Sequence, residues 1–339
     1  MTLGMTGNAD CMTAGRFVGF FPILTIYFAF LLIKINGGGI VINLTVRGKD
    51  GADFITGSFH AASADTAPDD YPLVVAIHGG TYTGDYFQVD GYSLAARAAA
   101  LGIPLFALNR PGYADSVRKE GLDCSIMSNA EILNDVLSDL WETRRGNARG
   151  IFLIGHSIGG AIAIQMAALG KSWPLLGLSI SGVGVREPEP VLEQWRSLPP
   201  DESIVIPPEP KDQLMYGPAG TWLPDGQRAA HRADHPMPRQ ELLDIAFEWP
   251  RLLREAAPRI DVPVHYRQPE FDNLWVVDEA EVQDFASRFV NSPWVDAQVF
   301  KGAGHNIDFH RLGGAFQLQQ LAFALACSVS TERREWSAR

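Results

Sequence analysis

The stretch RGIFLIGHSIGGAIAIQMAALG, residues 149–170, sets a serine between glycines at the end of an apolar run, and a helical pattern follows at once. The run IFLI (151–154) reads as a strand buried on both faces, and the segment after it as a helix packed on that strand. To pass from one to the other at Ser157 the backbone must fold back on itself, which demands small residues two positions to either side. Gly155 and Gly159 meet that demand. The corner places a hydroxyl beside the free N–H groups and positive dipole end of a helix, where a developing oxyanion could be stabilised.

The same alternation runs along most of the 339-residue chain. Candidate strands are 40–47, 54–60, 73–78, 104–109, 151–155, 175–181, 262–267 and 296–300, and candidate helices are 92–102, 129–145, 159–170, 279–290 and 316–327. Most of the later strands are continuous apolar runs, as in a parallel sheet with helices on both faces. The pattern predicts an α/β fold with a doubly wound, mostly parallel eight-stranded sheet. Residues 186–260 break the rhythm, with many prolines and tryptophans and no convincing strand. A structureless loop of that length would be unusual. It is expected to form a mostly helical cap inserted after the sixth strand, over the carboxyl edge of the sheet. The domain is thus expected to span 37–330, with a polar tail at 331–339.

Residues 1–36 stand apart. Phe17–Ile33 are 17 uncharged, strongly apolar residues between Arg16 and Lys34, at the short edge of what crosses a bilayer. An uncleaved anchor, a secretory signal and upstream sequence foreign to the native product all stay open, so a membrane is a partner only if this segment is a genuine anchor. The three cysteines, Cys11, Cys124 and Cys327, form neither a disulfide framework nor a zinc pattern and favour a reducing, cytoplasmic compartment. A net charge of −11 gives no reason to expect nucleic acid. The expected partner is a small-molecule substrate.

A serine hydroxyl is a weak nucleophile without a base. Of the eight histidines, His305 lies in a Gly-rich loop (FKGAGHNID) just after the last strand, where an imidazole can swing over the sheet edge. His156 belongs to the turn itself. His231 and His235 have i,i+4 spacing that could hold zinc, but no third ligand is apparent and a surface pair is expected. The base needs an orienting carboxylate, and PEFDNLW past the seventh strand offers Asp272, with Glu270 as the alternative. The third candidate strand ends in His78-Gly79-Gly80, whose backbone can turn N–H groups toward the serine. The expected oxyanion donors are the N–H groups of Gly80 and Ile158. Tyr82 and Phe87 are candidates for the acyl pocket, and Trp222 is the cap's candidate substrate contact. The cap tryptophans Trp195, Trp222 and Trp249 suit an apolar or aromatic substrate.

Taken together, HGG (78–80), NRPGYADS (109–116), GHSIGG (155–160), PEFDNLW (269–275) and GAGHNID (302–308) resemble the α/β-hydrolase superfamily, in its order and over roughly residues 40–328. In NRPGYADS, Ala114 stands where the family has a second glycine. The resemblance implies a triad of Ser157, Asp272 and His305 and no cofactor, and it does not fix the substrate; no metal is expected, and the expected reaction is hydrolysis of a carboxylic ester through an acyl-enzyme. The same triad also serves thioesterases, lactonases, acyltransferases and C–C hydrolases, and the scaffold also serves small-molecule receptors. Ser157 argues against the haloalkane dehalogenases and epoxide hydrolases of the superfamily, which have aspartate there. Thr81 in place of a third glycine weakens the likeness to hormone-sensitive-lipase-like enzymes.

Overall fold

The computed structural model describes residues 33–36, 39–49, 51, 53–61, 70–117, 122–198 and 203–329. Its strands are β1 (Ile33–Asn36), β2 (Gly39–Arg47), β3 (Phe54–His60), β4 (Leu73–Ile77), β5 (Leu105–Leu108), β6 (Ile151–His156), β7 (Leu175–Ser181), the two-residue pieces β8 (Ser203–Ile204) and β9 (Met237–Pro238), β10 (Val264–Phe271) and β11 (Val295–Gly304). Nine of them form one sheet in the order β1-β2-β3-β5-β4-β6-β7-β10-β11. The pairs from β5 through β11 are parallel, and β1, β2 and β3 join antiparallel at one edge. All eight expected strands are present. The ninth, β1, pairs Ile33 with Ile42 and Lys34 with Val41, so the sheet begins inside the segment expected to end at residue 36. Of the apolar stretch 17–33 only Ile33 is described. The rest of it, Cys11 and the tail 331–339 lie outside the described residues.

Strand composition explains why both faces are covered. Along β4, Leu73, Val75 and Ile77 enter one core cluster while Val74 and Ala76 enter the other, and β6 divides Ile151 and Leu153 from Phe152 and Ile154 in the same way. Helix α2 (Ile126–Arg144) and helix α3 (Ile158–Ala168) fill the first face. Helix α1 (Leu94–Ala100) and the carboxy-terminal helix α10 (Gly313–Val329) fill the second. Each fully buried aliphatic or aromatic side chain here is worth roughly 1.5–3 kcal/mol. Helix α2 starts three residues before the spacing suggests, because Ser125 caps it by accepting the Ser128 N–H at 3.0 Å.

The segment between β7 and β10 is mostly helical, as expected. It holds α4 (Glu189–Arg196), α5 (Pro208–Met215), α6 (Pro224–Ala230), α7 (Arg239–Leu243) and α8 (Trp249–Ala256), with a π-helical turn at Asp244–Glu248 between the last two. The expectation of no strand is corrected in one detail: β8 and β9 pair as a two-residue antiparallel ribbon. Then follow α9 (Glu279–Ser287) and α10 (Gly313–Val329). Among the described residues no helix is long and apolar enough to cross a membrane.

Candidate active site

Ser157 stands between the end of β6 and the start of α3 with φ 55° and ψ −127°, a backbone conformation that a side chain rarely adopts. Its N–H donates to Ser181 O on β7 at 2.8 Å, and its carbonyl accepts from Gly160 N at 2.8 Å. A Cβ on Gly155 would lie 2.6 Å from Gly159 O and from Gly160 Cα, so only glycine permits the close return of helix onto strand.

His305 follows β11 and is 2% exposed. Its Nδ1 donates to Asp272 Oδ2 at 2.8 Å, which leaves Nε2 as the acceptor nitrogen. Asp272 is held by two further donors, Gln268 Nε2 to Oδ2 at 2.9 Å and Leu274 N to Oδ1 at 3.0 Å. Glu270 is elsewhere: its carboxylate accepts from Gly302 N at 2.8 Å and faces Lys301 at 3.5 Å. The histidine loop is itself braced. Asn306 Nδ2 donates to Tyr82 Oη at 2.7 Å, and His310 accepts from Gly304 N at 2.8 Å through Nε2 while donating from Nδ1 to Asn306 O. Asp308 accepts from Tyr86 Oη at 3.0 Å and from Gln317 at 2.6 Å, and burial pushes its carboxyl up to about 6.

Ser157 and His305 open on one cavity of about 50 Å³. Gly80, Ile158 and Tyr82 also line it. Ile158 is the first residue of α3, so its N–H has no acceptor within the helix, and Gly80 N–H has none among the described residues. Two of the expected substrate contacts lie outside this lining. Phe87 is buried in a 3-10 turn (Gly84–Gln88), edge-on to Tyr86 at 5.1 Å, and Trp222 packs on Tyr216 at 5.6 Å and donates its indole N–H to Gly217 O. His156 lines the cavity but stacks on Tyr86, and burial and the nearby His305 hold it far below the usual imidazole range. His231 sits between Asp212 and Asp234, while His235 accepts the Ala114 N–H at 3.2 Å and donates to Pro236 O. Among the described residues no group of three or more metal-ligating side chains comes together.

The profile of the alpha/beta hydrolase family matches residues 74–312. The chain belongs to the α/β hydrolase family. Solved structures share its fold. A thermostable carboxyl esterase from Bacillus coagulans aligns with a TM-score of 0.62 at 18% identity, over 85% of this chain and 99% of that one. An esterase from Exiguobacterium antarcticum aligns with a TM-score of 0.60 at 16% identity, over 83% and 98%. A monoacylglycerol lipase from Paleococcus ferrophilus aligns with a TM-score of 0.56 at 18% identity, over 76% and 96%. A comparison with curated protein sequences finds no match.

Within this α/β hydrolase, sequence reasoning missed how the loop bearing Gly80 is held. Buried Arg110 donates to Gly79 O at 3.0 Å and forms two hydrogen bonds to Glu241 on α7, the shorter 2.5 Å. On the other side, Lys211 of α5 donates to Thr81 O at 3.0 Å and to Asp234 at 2.6 Å, with its ammonium 3.6 Å from the Tyr82 ring centroid. The carbonyls flanking Gly80 are therefore gripped by two cations, each tethered to a carboxylate of the cap. That grip restrains the peptide carrying the Gly80 N–H through Gly79 O, and the Thr81–Tyr82 peptide beyond it through Thr81 O, with Thr81 itself at φ 62°. Ala114, in place of the family's glycine, likewise adopts φ 45°.

Glu187, between β7 and α4, was also missed. It lines the cavity and accepts the Trp195 indole N–H at 2.9 Å. Burial, with a smaller push from the Asp272 carboxylate, raises it to about 8 against the opposing Trp195 bond. A raised carboxyl keeps its proton in the folded chain while the unfolded chain has lost it, so folding stability falls as pH rises from about 4.5 to about 8. In Glu187→Gln that component disappears, and the decline of urea midpoint with pH over this window flattens. An equal slope in the two proteins would show that Glu187 does not hold its proton.

Proposed function

We propose that the chain is a serine hydrolase of carboxylic esters working through an acyl-enzyme. The observation that carries this reading is the 2.8 Å hydrogen bond from His305 Nδ1 to Asp272, with Ser157 on the same cavity. Asp272 holds the imidazole in the tautomer whose Nε2 takes the proton of Ser157 as its Oγ attacks the ester carbonyl. The N–H groups of Gly80 and Ile158 receive the oxyanion. His305 returns the proton to the departing alcohol and then draws one from water, whose oxygen attacks the acyl carbonyl and releases Ser157. The apolar lining of the cavity supports a small apolar or aromatic acyl or alcohol part, with Tyr82 at its wall.

A fluorophosphonate probe tests this on the full chain, followed by p-nitrophenyl esters of graded acyl length. A phosphonyl adduct on Ser157, with turnover that the adduct abolishes, is the expected result. A folded protein with neither adduct nor turnover would overturn the reading. The choice of acid has its own test. Asp272→Asn is expected to lower kcat by roughly 10³- to 10⁴-fold, by losing the orienting acceptor. Glu270→Gln, on the far side of the loop, is expected to stay within about twofold of wild type. The reverse ranking would exchange their roles.

A further inference from the structure

The cavity above Ser157 holds one carboxyl that the proposed ester chemistry does not use. Glu187 faces it with a single hydrogen bond, from Trp195 Nε1, and among the described residues no cation of the protein pairs with it. The adjacent Arg186 is committed elsewhere, with its guanidinium 64% exposed and 2.5 Å from Glu281. A carboxylate placed in an apolar pocket without a counter-ion is costly. Glutamine could accept the same indole bond without that cost. The rest of the wall is suited to an alkylated cation. The indole-bearing side chains Trp195 and Trp275 line the cavity, and Met237, Leu242 and Ile245 supply apolar surface. Aromatic faces attract ammonium groups, and alkyl groups on the nitrogen match the apolar surface better than a strongly hydrated primary ammonium does.

We propose that this cavity takes esters bearing an alkylated ammonium group, with Glu187 as the counter-ion and the indoles of Trp195 and Trp275 beside it. The assignment rests on Ser157 being the ester nucleophile of the preceding section. A bound ammonium would favour the charged form of the Glu187 carboxyl, which burial otherwise disfavours. The net charge of −11 would also draw cationic substrates toward the chain.

The test compares acetylcholine with its uncharged isostere, 3,3-dimethylbutyl acetate, on the full chain and on Glu187→Gln, which retains an acceptor for Trp195. The wild type is expected to favour the cationic ester in kcat/KM by about tenfold or more, and the glutamine variant to bring the ratio close to one. Binding of tetramethylammonium, followed by tryptophan fluorescence and calorimetry, reads the site without turnover and should weaken by a similar factor in the variant. Hydrolysis of both esters with no preference, or a preference that survives in Glu187→Gln, overturns the cation site and leaves the hydrolase reading standing. No turnover of either ester, and no phosphonate adduct on Ser157, with tetramethylammonium binding that still depends on Glu187, overturns the hydrolase reading and keeps the site. Absence of turnover and of binding overturns the cation site, and the hydrolase reading falls with it only if the phosphonate adduct is absent as well.

Discussion

Replacing Ser157 by alanine is expected to lower kcat/KM for any accepted ester by roughly 10⁴-fold or more, while substrate affinity changes little. The loss is large because the hydroxyl is the atom that bonds to the substrate. What remains comes from the oxyanion donors and from positioning. Stability should respond differently. Ser157 packs little through its side chain, but it holds φ 55° and ψ −127°, a strained conformation worth about 1–3 kcal/mol. Ser157→Ala is expected to unfold within about 1 kcal/mol of wild type. Ser157→Gly should exceed the alanine variant by about 1 kcal/mol, the relief of strain outweighing glycine's greater loss of chain entropy. Kinetics against p-nitrophenyl esters and urea unfolding of the three proteins check both statements. A glycine variant less stable than alanine would show that the elbow stores no strain.

Breaking the Arg110–Glu241 pair should have the largest effect on stability. Both side chains are fully buried, and Tyr113 Oη also donates to Glu241. Glu241→Gln would leave the guanidinium buried without its compensating charge, at a cost of about 3–5 kcal/mol. The double variant Arg110→Met/Glu241→Met removes both charges and is expected to recover a good part of that loss. Activity should not recover with it. Arg110 also fixes Gly79 O, so in the double variant the peptide carrying the Gly80 N–H loses its side-chain restraint. Counted per phosphonate-titrated site, kcat should fall in the double variant with KM moving less. Recovery of kcat alongside stability would mean that the loop does not depend on this grip.

Some of the site is readable along the chain because its causes are local. The turn at Ser157 needs Gly155 and Gly159 at fixed offsets, and His305 sits in a short loop directly after a strand, so both are visible to spacing alone. The sheet is equally legible, since runs buried on two faces are apolar without alternation. Asp272 against Glu270 is a different matter. The register of β10 against β11 shifts between Pro269 and Phe271, and this irregularity breaks the alternation that would otherwise say which side each acid faces. Phe87 and Trp222 show the same limit. Hydrophobicity says that an aromatic will be buried, not against which surface.

The amino-acid sequence by itself determined the alternating α/β architecture, the strained serine corner, the histidine loop and the position of the helical insertion. Each follows from residues within a few positions of one another. Tertiary structure alone decided which acid meets His305, that an edge strand at 33–36 extends the sheet, and how the cap closes on the catalytic edge. Arg110 and Glu241 are 131 positions apart, and Lys211 is 130 from Thr81. No local preference links such pairs. They meet only because packing β4, β6 and the cap helices into one core brings them within hydrogen-bond range, where burial makes each unpaired charge too costly to leave alone.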